Sequence, residues 1–499
     1  MTPRPVRSKR SREAASRSRR TAADSPSRRA ARIRRSVREG RLEDLSPLLL
    51  ALNDPSPGLR QTAAIALGIL KDPRARSSLA AALTDPDVAV RASAAEALGA
   101  IGRSESREPL EAALGDPDVR VRVRAAGALR ALADPASVPA LAIRASDPAV
   151  EVRQAVCAAL GAVGTEAAAR ALTTLFTDPS DRVRREAVLG FGRRTDPDVP
   201  ATIRPFLTDP ARRVRVAAAV VLGRHRDAES VPLLLHRLEF PETWEKPAVL
   251  VALGRIGASE AVPALVAASE HPAHWVRVCA LHALGELGVA EARTAALAHT
   301  RDPSWAVRGA AALALGAAGR GEELPVLLEL LRDPHPWPRR GATYAIGRLG
   351  LTEAAARVRE ELADPVAEVR LAAIWAVGRL SDDGARDELV RLLYGVRPGA
   401  PDDLGEAAGE VDRDGPLRSD AESRLFDAAV QALGRLSHGM PDPFVQRALA
   451  EVRGRLSEEE LDRLARLPLP EVGIDRTPPT LRALFDSAIA ASADDEESG

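Results

Sequence analysis

The sequence predicts an all-α fold, an α-solenoid of about eleven to twelve helix-pair repeats of equal length. Three observations predict it. An Asp-Pro dipeptide returns at a fixed interval of thirty-one positions, at Asp54-Pro55, Asp85-Pro86, Asp116-Pro117, Asp147-Pro148, Asp178-Pro179 and Asp209-Pro210. It returns again at Asp302-Pro303, Asp333-Pro334 and Asp364-Pro365, with Phe240-Pro241 and His271-Pro272 holding the register between. Six residues after each phase position stands an Arg, from Arg60 to Arg370, replaced once by Lys246. Fourteen residues after it stands a Gly in ten of the eleven repeats, Arg130 being the exception. A fixed period of this length marks stacked units, none of which can bury its apolar face alone.

Composition agrees. A chain of 499 residues is too long for one compact core, and Ala and Leu abound while aromatics make up 3%. The formal net charge is zero, yet charge is unevenly placed. Residues 1–38 hold fourteen Lys or Arg against Glu13 and Asp24, and residues 398–420 hold seven acids against two Arg.

In chain order, residues 1–26 read as a disordered basic arm and 27–41 as an N-terminal capping helix built on Ala30, Ile33 and Val37. Residues 42–394 carry the repeats. Within one repeat, Asp and Pro predict a helix start, and Val90, Ala94, Ala97 and Leu98 recur at helical spacing. Gly99 suits a helix stop, and a second helix follows near Pro109 to Leu114. Small residues in one column (Ala66, Ala97, Ala128, Ala159) let helices approach closely. The recurrence of Asp and Arg in nearly every repeat predicts a structural ladder between neighbours.

Beyond the repeats, residues 395–420 read as an acidic disordered loop and 421–467 as a C-terminal repeat remnant with capping helices. There Ala428, Val430, Ala432, Leu433 and Gly434 restore the pattern. A Pro-rich segment with a short amphipathic helix is expected over 468–491, and an acidic disordered tail over 492–499.

The motif D-P-x-x-x-V-R followed by A-A-x-A-L-G stands at Asp85 to Arg91 and Ala94 to Gly99. It resembles the phycobilisome-lyase-type HEAT-like repeat family, densely over residues 42–393. The resemblance implies an armadillo/HEAT-like fold. It leaves the activity open, since such folds include bilin lyases, hydroxylases, DNA glycosylases and plain scaffolds.

Several function classes lack their residues. Cys157 and Cys279 lie on apolar helical stretches and predict reduced, buried thiols. The hydroxylases of this fold hold iron through His-Glu dipeptides, and none occurs among the eight His. His271, His274 and His282 share helical spacing but are expected as ordinary imidazoles, so no metal and no cofactor is expected. No phosphate-binding glycine loop or nucleophile elbow occurs, and no catalytic residue is assigned. The chain lacks a long apolar run and an apolar leader, so a cytoplasmic protein without membrane contact is expected.

The informative positions lie four, seven, eight and eleven residues after each phase position, on one helix face expected to line a concave groove. Early and middle repeats place Arg120, Arg124, Arg182, Arg185 and Arg213 there, with Glu151 and Glu186 among them. Later repeats place Trp244, Trp275, His282, Trp337, Tyr344 and Trp375, with Trp305 at the rim. All five Trp therefore fall in repeats seven to eleven.

Aromatics and Arg dominate binding hot spots. A protein or peptide partner in this groove is the leading expectation, with two alternatives for the rings. The C-terminal residues Leu481, Leu484 and Phe485 would cover them, or the rings would join the core. For the whole chain, a non-enzymatic scaffold is expected first. A nucleic-acid binder using residues 4–38 and the Arg-rich face comes second. A lyase- or hydroxylase-like enzyme comes third. Phe240, His271 and Lys246 break the ladder, and Pro247 falls inside an expected helix, so a hinge is expected near residues 240–247.

Overall fold

A computed structural model describes residues 26–38, 45–240, 243–385 and 388–389. The basic arm up to residue 25, and every expectation for residues 390–499, lie outside the described residues. The chain divides into two compact units, Met1–Val221 and Leu222–Gly499. Each is a stack of helix pairs, and the described residues contain no strand.

Each repeat pairs a long helix with a short one, as Val88–Ile101 does with Arg107–Ala113. Long helices pack on the long helices of the next repeat. The core is a column of fully buried Leu (Leu67, Leu98, Leu129, Leu160 in the first unit; Leu253, Leu284, Leu315 in the second). Each such side chain contributes roughly 1.5–3 kcal/mol by leaving water.

The Arg and Asp columns form the ladder. Arg91 Nε and Nη2 donate to both carboxylate oxygens of Asp116 in the next repeat, at 2.6 and 3.0 Å. Its Nη1 donates to the carbonyls of Asp85 and Pro86 in its own repeat, at 2.8 and 3.2 Å. The same fork joins Arg60 to Asp85, Arg122 to Asp147, Arg153 to Asp178 and Arg184 to Asp209. In the second unit it joins Arg277 to Asp302, Arg308 to Asp333 and Arg339 to Asp364. Burial pushes the carboxyls of Asp85, Asp116, Asp147, Asp178, Asp302 and Asp333 up. The guanidinium bonds and one backbone N–H outweigh it and hold each below the usual range.

Three local expectations are corrected. The ladder Asp does not cap the long helix. Its Oδ1 takes the N–H two residues on, as Asp85 takes Asp87 N at 2.8 Å, and Asp87 itself caps the helix through Ala89 and Val90. The turn before the helix, not the helix, is what Asp-Pro encodes.

Gly99 is likewise no helix stop, because the helix runs on to Ile101 and ends at left-handed Gly102 with φ 69°. Gly99 is a contact point. A Cβ there would lie 2.7 Å from Ala128 Cα in the next repeat. Gly68, Gly223, Gly254, Gly316 and Gly347 meet Ala97, Ala252, Ala283, Ala345 and Ala376 in the same way.

Pro247 lies in the first turn of Lys246–Ile256, where a missing N–H costs nothing, so it starts that helix and does not interrupt it.

The helix expected to cap the array, Pro26–Arg38, meets the first repeat in the manner of a repeat's long helix. It packs on Pro57–Leu70, and Arg29 reaches Asp54 at 2.6 Å across the same sequence step as the other rungs. Its Asp-Pro is missing, which hid this contact from a search by phase.

Two outcomes follow. Asp147 is buried, with its side chain 1% exposed, so Arg122→Ala leaves a buried carboxylate unpaired. That should lower stability by about 3–5 kcal/mol in urea unfolding at neutral pH. A carboxyl with a lowered folded pKa stabilises above its unfolded value, near 4, and loses that as pH falls through the folded value. The gap between wild type and variant should therefore shrink on acidification below about pH 4. Separately, Gly99→Leu should cost about 1–3 kcal/mol or abolish folding, since its neighbour is backbone. Gly127→Leu, whose Cβ meets nothing within 4 Å, should be tolerated in the same melts.

Candidate functional site: an aromatic face on the second unit

In the second unit late aromatics at the starts of the long helices and further along them meet in three stacked pairs. Trp244 and Trp275 stack with centroids 5.4 Å apart at 18°. Trp305 stacks on His335 at 3.9 Å and 13°, and Tyr344 on Trp375 at 4.6 Å and 21°. Each pair joins consecutive repeats. Trp244 and Trp305 are 47% and 38% exposed, while Trp275, Trp337, Tyr344 and Trp375 are half-buried. None of these rings belongs to the buried core.

Small residues make the room. A Cβ on Gly309 would lie 2.0 Å from Trp337 Cδ1, so the indole rests on bare backbone of the preceding repeat. Trp375 rests similarly against Gly347. Arg340 lies over the Trp337 ring at 4.8 Å and Arg379 over Trp375 at 5.7 Å. His335 Nδ1 accepts the N–H of Trp337 at 3.2 Å. Burial, helped by Arg308 and Arg339, pushes its pKa down, so the ring under Trp305 is neutral at pH 7.

The three pairs do not have equal standing. Trp244 and Trp275 span the junction where Lys246 and His271 replace the ladder partners, so this stack adds to the Gly254–Ala283 packing where no rung of the Arg–Asp kind can form. Trp305–His335 and Tyr344–Trp375 span junctions already held by Arg308–Asp333 and Arg339–Asp364. These two junctions thus carry a ring stack in addition to a rung.

The predicted basic residues lie on the first unit and are mostly neutralised locally. Arg120 bonds Asp118 at 3.0 Å, Arg124 faces Glu96 at 3.6 Å, and Arg213 reaches Asp181 at 3.0 Å. Arg185 pairs with Glu186, and Arg182 is exposed. The eighth position after the phase residue turns inward in the second unit, at buried Cys279, Gly341 and Ala372, and at Gly341 it faces Gly309 and Ala312 on the preceding long helix.

The histidines do not converge. His271 Nδ1 accepts the N–H of Ala273 at 3.1 Å, His274 is exposed, and His282 faces Glu286 at 4.0 Å. Among the described residues no group of three or more His, Cys, Asp or Glu could hold a metal ion. Burial pushes the thiols up, that of Cys279 to about 12, so neither forms a reactive thiolate at pH 7. The Glu361 carboxyl rises to about 7 through burial and the nearby Asp364, and it sits beneath a ladder rung. A cleft of about 710 Å³ beside the short helix Leu324–Leu330 contains none of the predicted residues.

The repeat architecture places the chain among known proteins. A family model for HEAT repeats matches residues 45–120, 108–190, 173–246, 241–316 and 294–367. This chain is a HEAT-repeat protein. No curated protein matches it in sequence. Among solved structures it is similar to yeast importin-β (Kap95p), at 13% identity and TM-score 0.55 over 86% of this HEAT-repeat chain and 72% of that one. It is similar to a Kap95:Nup1 complex at 14% and 0.53, covering 95% and 78%. It also matches the CpcE–CpcF complex of phycocyanin lyase from Nostoc sp. PCC7120 at 23% and 0.32, covering 49% and 93%. The importin-β likenesses show the shared fold. No helix among the described residues is long and apolar enough to cross a membrane.

Gly309→Ala should drive Trp337 off its seat. The expected reading is a red shift in tryptophan emission that disappears in a Trp337→Phe background, with helicity unchanged.

Proposed function

We propose that this HEAT-repeat protein is a non-enzymatic, cytoplasmic scaffold that holds a protein segment against the aromatic face of its second unit. The observation that carries this reading is the pair of ring stacks at Trp305–His335 and Tyr344–Trp375, half-exposed at junctions that the ladder already holds. Such rings, with Arg340 and Arg379 beside them, fit a surface for apolar and acidic side chains. The importin-β fold, seen in one structure with Nup1, is a precedent for a HEAT array that binds a protein.

A nucleic-acid reading draws less support. The stacked rings stand 3.9–5.4 Å apart, too close to admit a base between them, and Arg120, Arg124, Arg185 and Arg213 have acidic neighbours.

The test is a Trp305→Ala, Tyr344→Ala double variant, compared with wild type in affinity capture from native lysate, with and without nuclease. The variant should keep its circular dichroism and lose protein partners that survive nuclease. Partners that persist in the variant, or vanish with nuclease, overturn the proposal.

A further inference from the structure

The cleft beside the short helix Leu324–Leu330 has the size of a ligand site. Its volume is about 710 Å³, within the roughly 300–1,000 Å³ that such sites span. Three consecutive repeats build it. Arg301 precedes Asp302, Pro325, Val326 and Leu328 lie on the short helix of the next repeat, and Arg357 lies on the short helix after that. Pro325 is exposed and Val326 and Leu328 are half-buried, so the cleft presents apolar surface to water. None of its described lining residues is aromatic, which separates it from the ring stacks.

The charge of the cleft is one-sided. Four guanidinium groups line it against two carboxylates, and both carboxylates are engaged. Asp333 holds the Arg308 rung at 2.6 and 2.9 Å, and Glu329 accepts from Arg301 at 3.1 and 3.3 Å. Arg357 pairs with Glu360 on its own helix. Arg332 is exposed, and its side chain meets no carboxylate among the described residues. The Arg301–Glu329 pair is open to water, with side chains 81% and 58% exposed, so it holds Arg301 only weakly. The sequence singles out the same place. The residue just before the phase position is Arg at Arg301 and Arg332 and in no other repeat from Asn53 to Ala363. Two cations in consecutive repeats, at a position the ladder does not use, point to a ligand that carries negative charge.

We propose that this cleft binds a small organic anion, an apolar body that carries one acid group. The body rests on Val326 and Leu328, and the acid group takes the N–H donors of Arg332. Arg301 can leave Glu329 and close on the same group. A planar guanidinium matches an oxyanion through two parallel N–H donors. An inorganic anion finds the charge but forgoes the apolar contact, and an uncharged body does the reverse, so neither matches the whole site.

The test is a fluorescence titration of the full chain with two probes. Anilinonaphthalene sulfonate is an apolar body with one acid group, and N-phenylnaphthylamine is the same body without the charge. The sulfonate should bind at one saturable site, and the uncharged probe about tenfold more weakly. Arg332→Ser should weaken the sulfonate about tenfold, and Val326→Asp should abolish its binding, with circular dichroism and urea midpoint unchanged. Arg332→Ser alters an exposed side chain, so it stays decisive if Val326→Asp disturbs the helix. The Trp305→Ala, Tyr344→Ala double variant should bind the sulfonate as wild type does. Equal affinities for the two probes, displacement by equimolar sulfate, or an unaltered Arg332→Ser variant overturns the proposal. Loss of the sulfonate in the double variant places it on the ring stacks, which also overturns it.

Discussion

The planar fork of arginine holds this fold in register. One guanidinium binds two carbonyls of its own turn and both oxygens of the next repeat's Asp. The carbonyls fix the guanidinium plane before the carboxylate arrives, so little side-chain freedom is left to lose. The Asp in turn holds the N–H two residues on. A rung therefore fixes the starts of two long helices relative to each other. The Gly–Ala contact further along needs that alignment, because a slip of one residue would set side chains against backbone.

Where the rung is absent, something else joins the repeats. At the junction of Lys246 and His271 the indoles of Trp244 and Trp275 stack, and one junction earlier, where Phe240 replaces the Asp, Arg237 pairs with buried Glu245. At the junction that the Arg277–Asp302 rung holds, Gly319 is extended instead of left-handed and Glu323 supplies a second anchor. Its carboxylate takes the N–H groups of Arg320 and Gly321 and pairs with Arg293. The ring stacks of the second unit thus stand in two settings, one at a junction without a rung and two beside one. The distinction depends on which junctions keep their rung.

Much of the fold was legible because it is periodic. A column of Asp and a column of Arg, each repeated, identified the ladder without coordinates. The function of single columns was less legible. Gly at position fourteen reads locally as a helix end, and only the neighbouring helix shows that it is a contact. The rung-like contact of Pro26–Arg38 was hidden because its phase dipeptide is absent, although Arg29 keeps the spacing. For the candidate site, the clustering of Trp in late repeats was visible in sequence. The pairing of rings across repeats was not, because Trp305 and His335, like Tyr344 and Trp375, are separated along the chain by about one whole repeat and meet only through the stacking of helices. The local neutralisation of Arg120 and Arg213 was hidden likewise.

The constant reach of the fork, from each Arg to the next repeat's Asp, also bears on how such a gene can change. Among the repeats that keep both columns, one repeat's Arg fits another's Asp, and where the contact is Gly on Ala one such pair matches the next. Whole repeats are thus interchangeable parts, and unequal recombination can add or remove one without a new interface being invented. The stacked rings lack that freedom. Tyr344 needs Trp375 beside it, and Trp337 needs a glycine in the repeat before. The first unit can therefore vary in length while the aromatic face is inherited as a block.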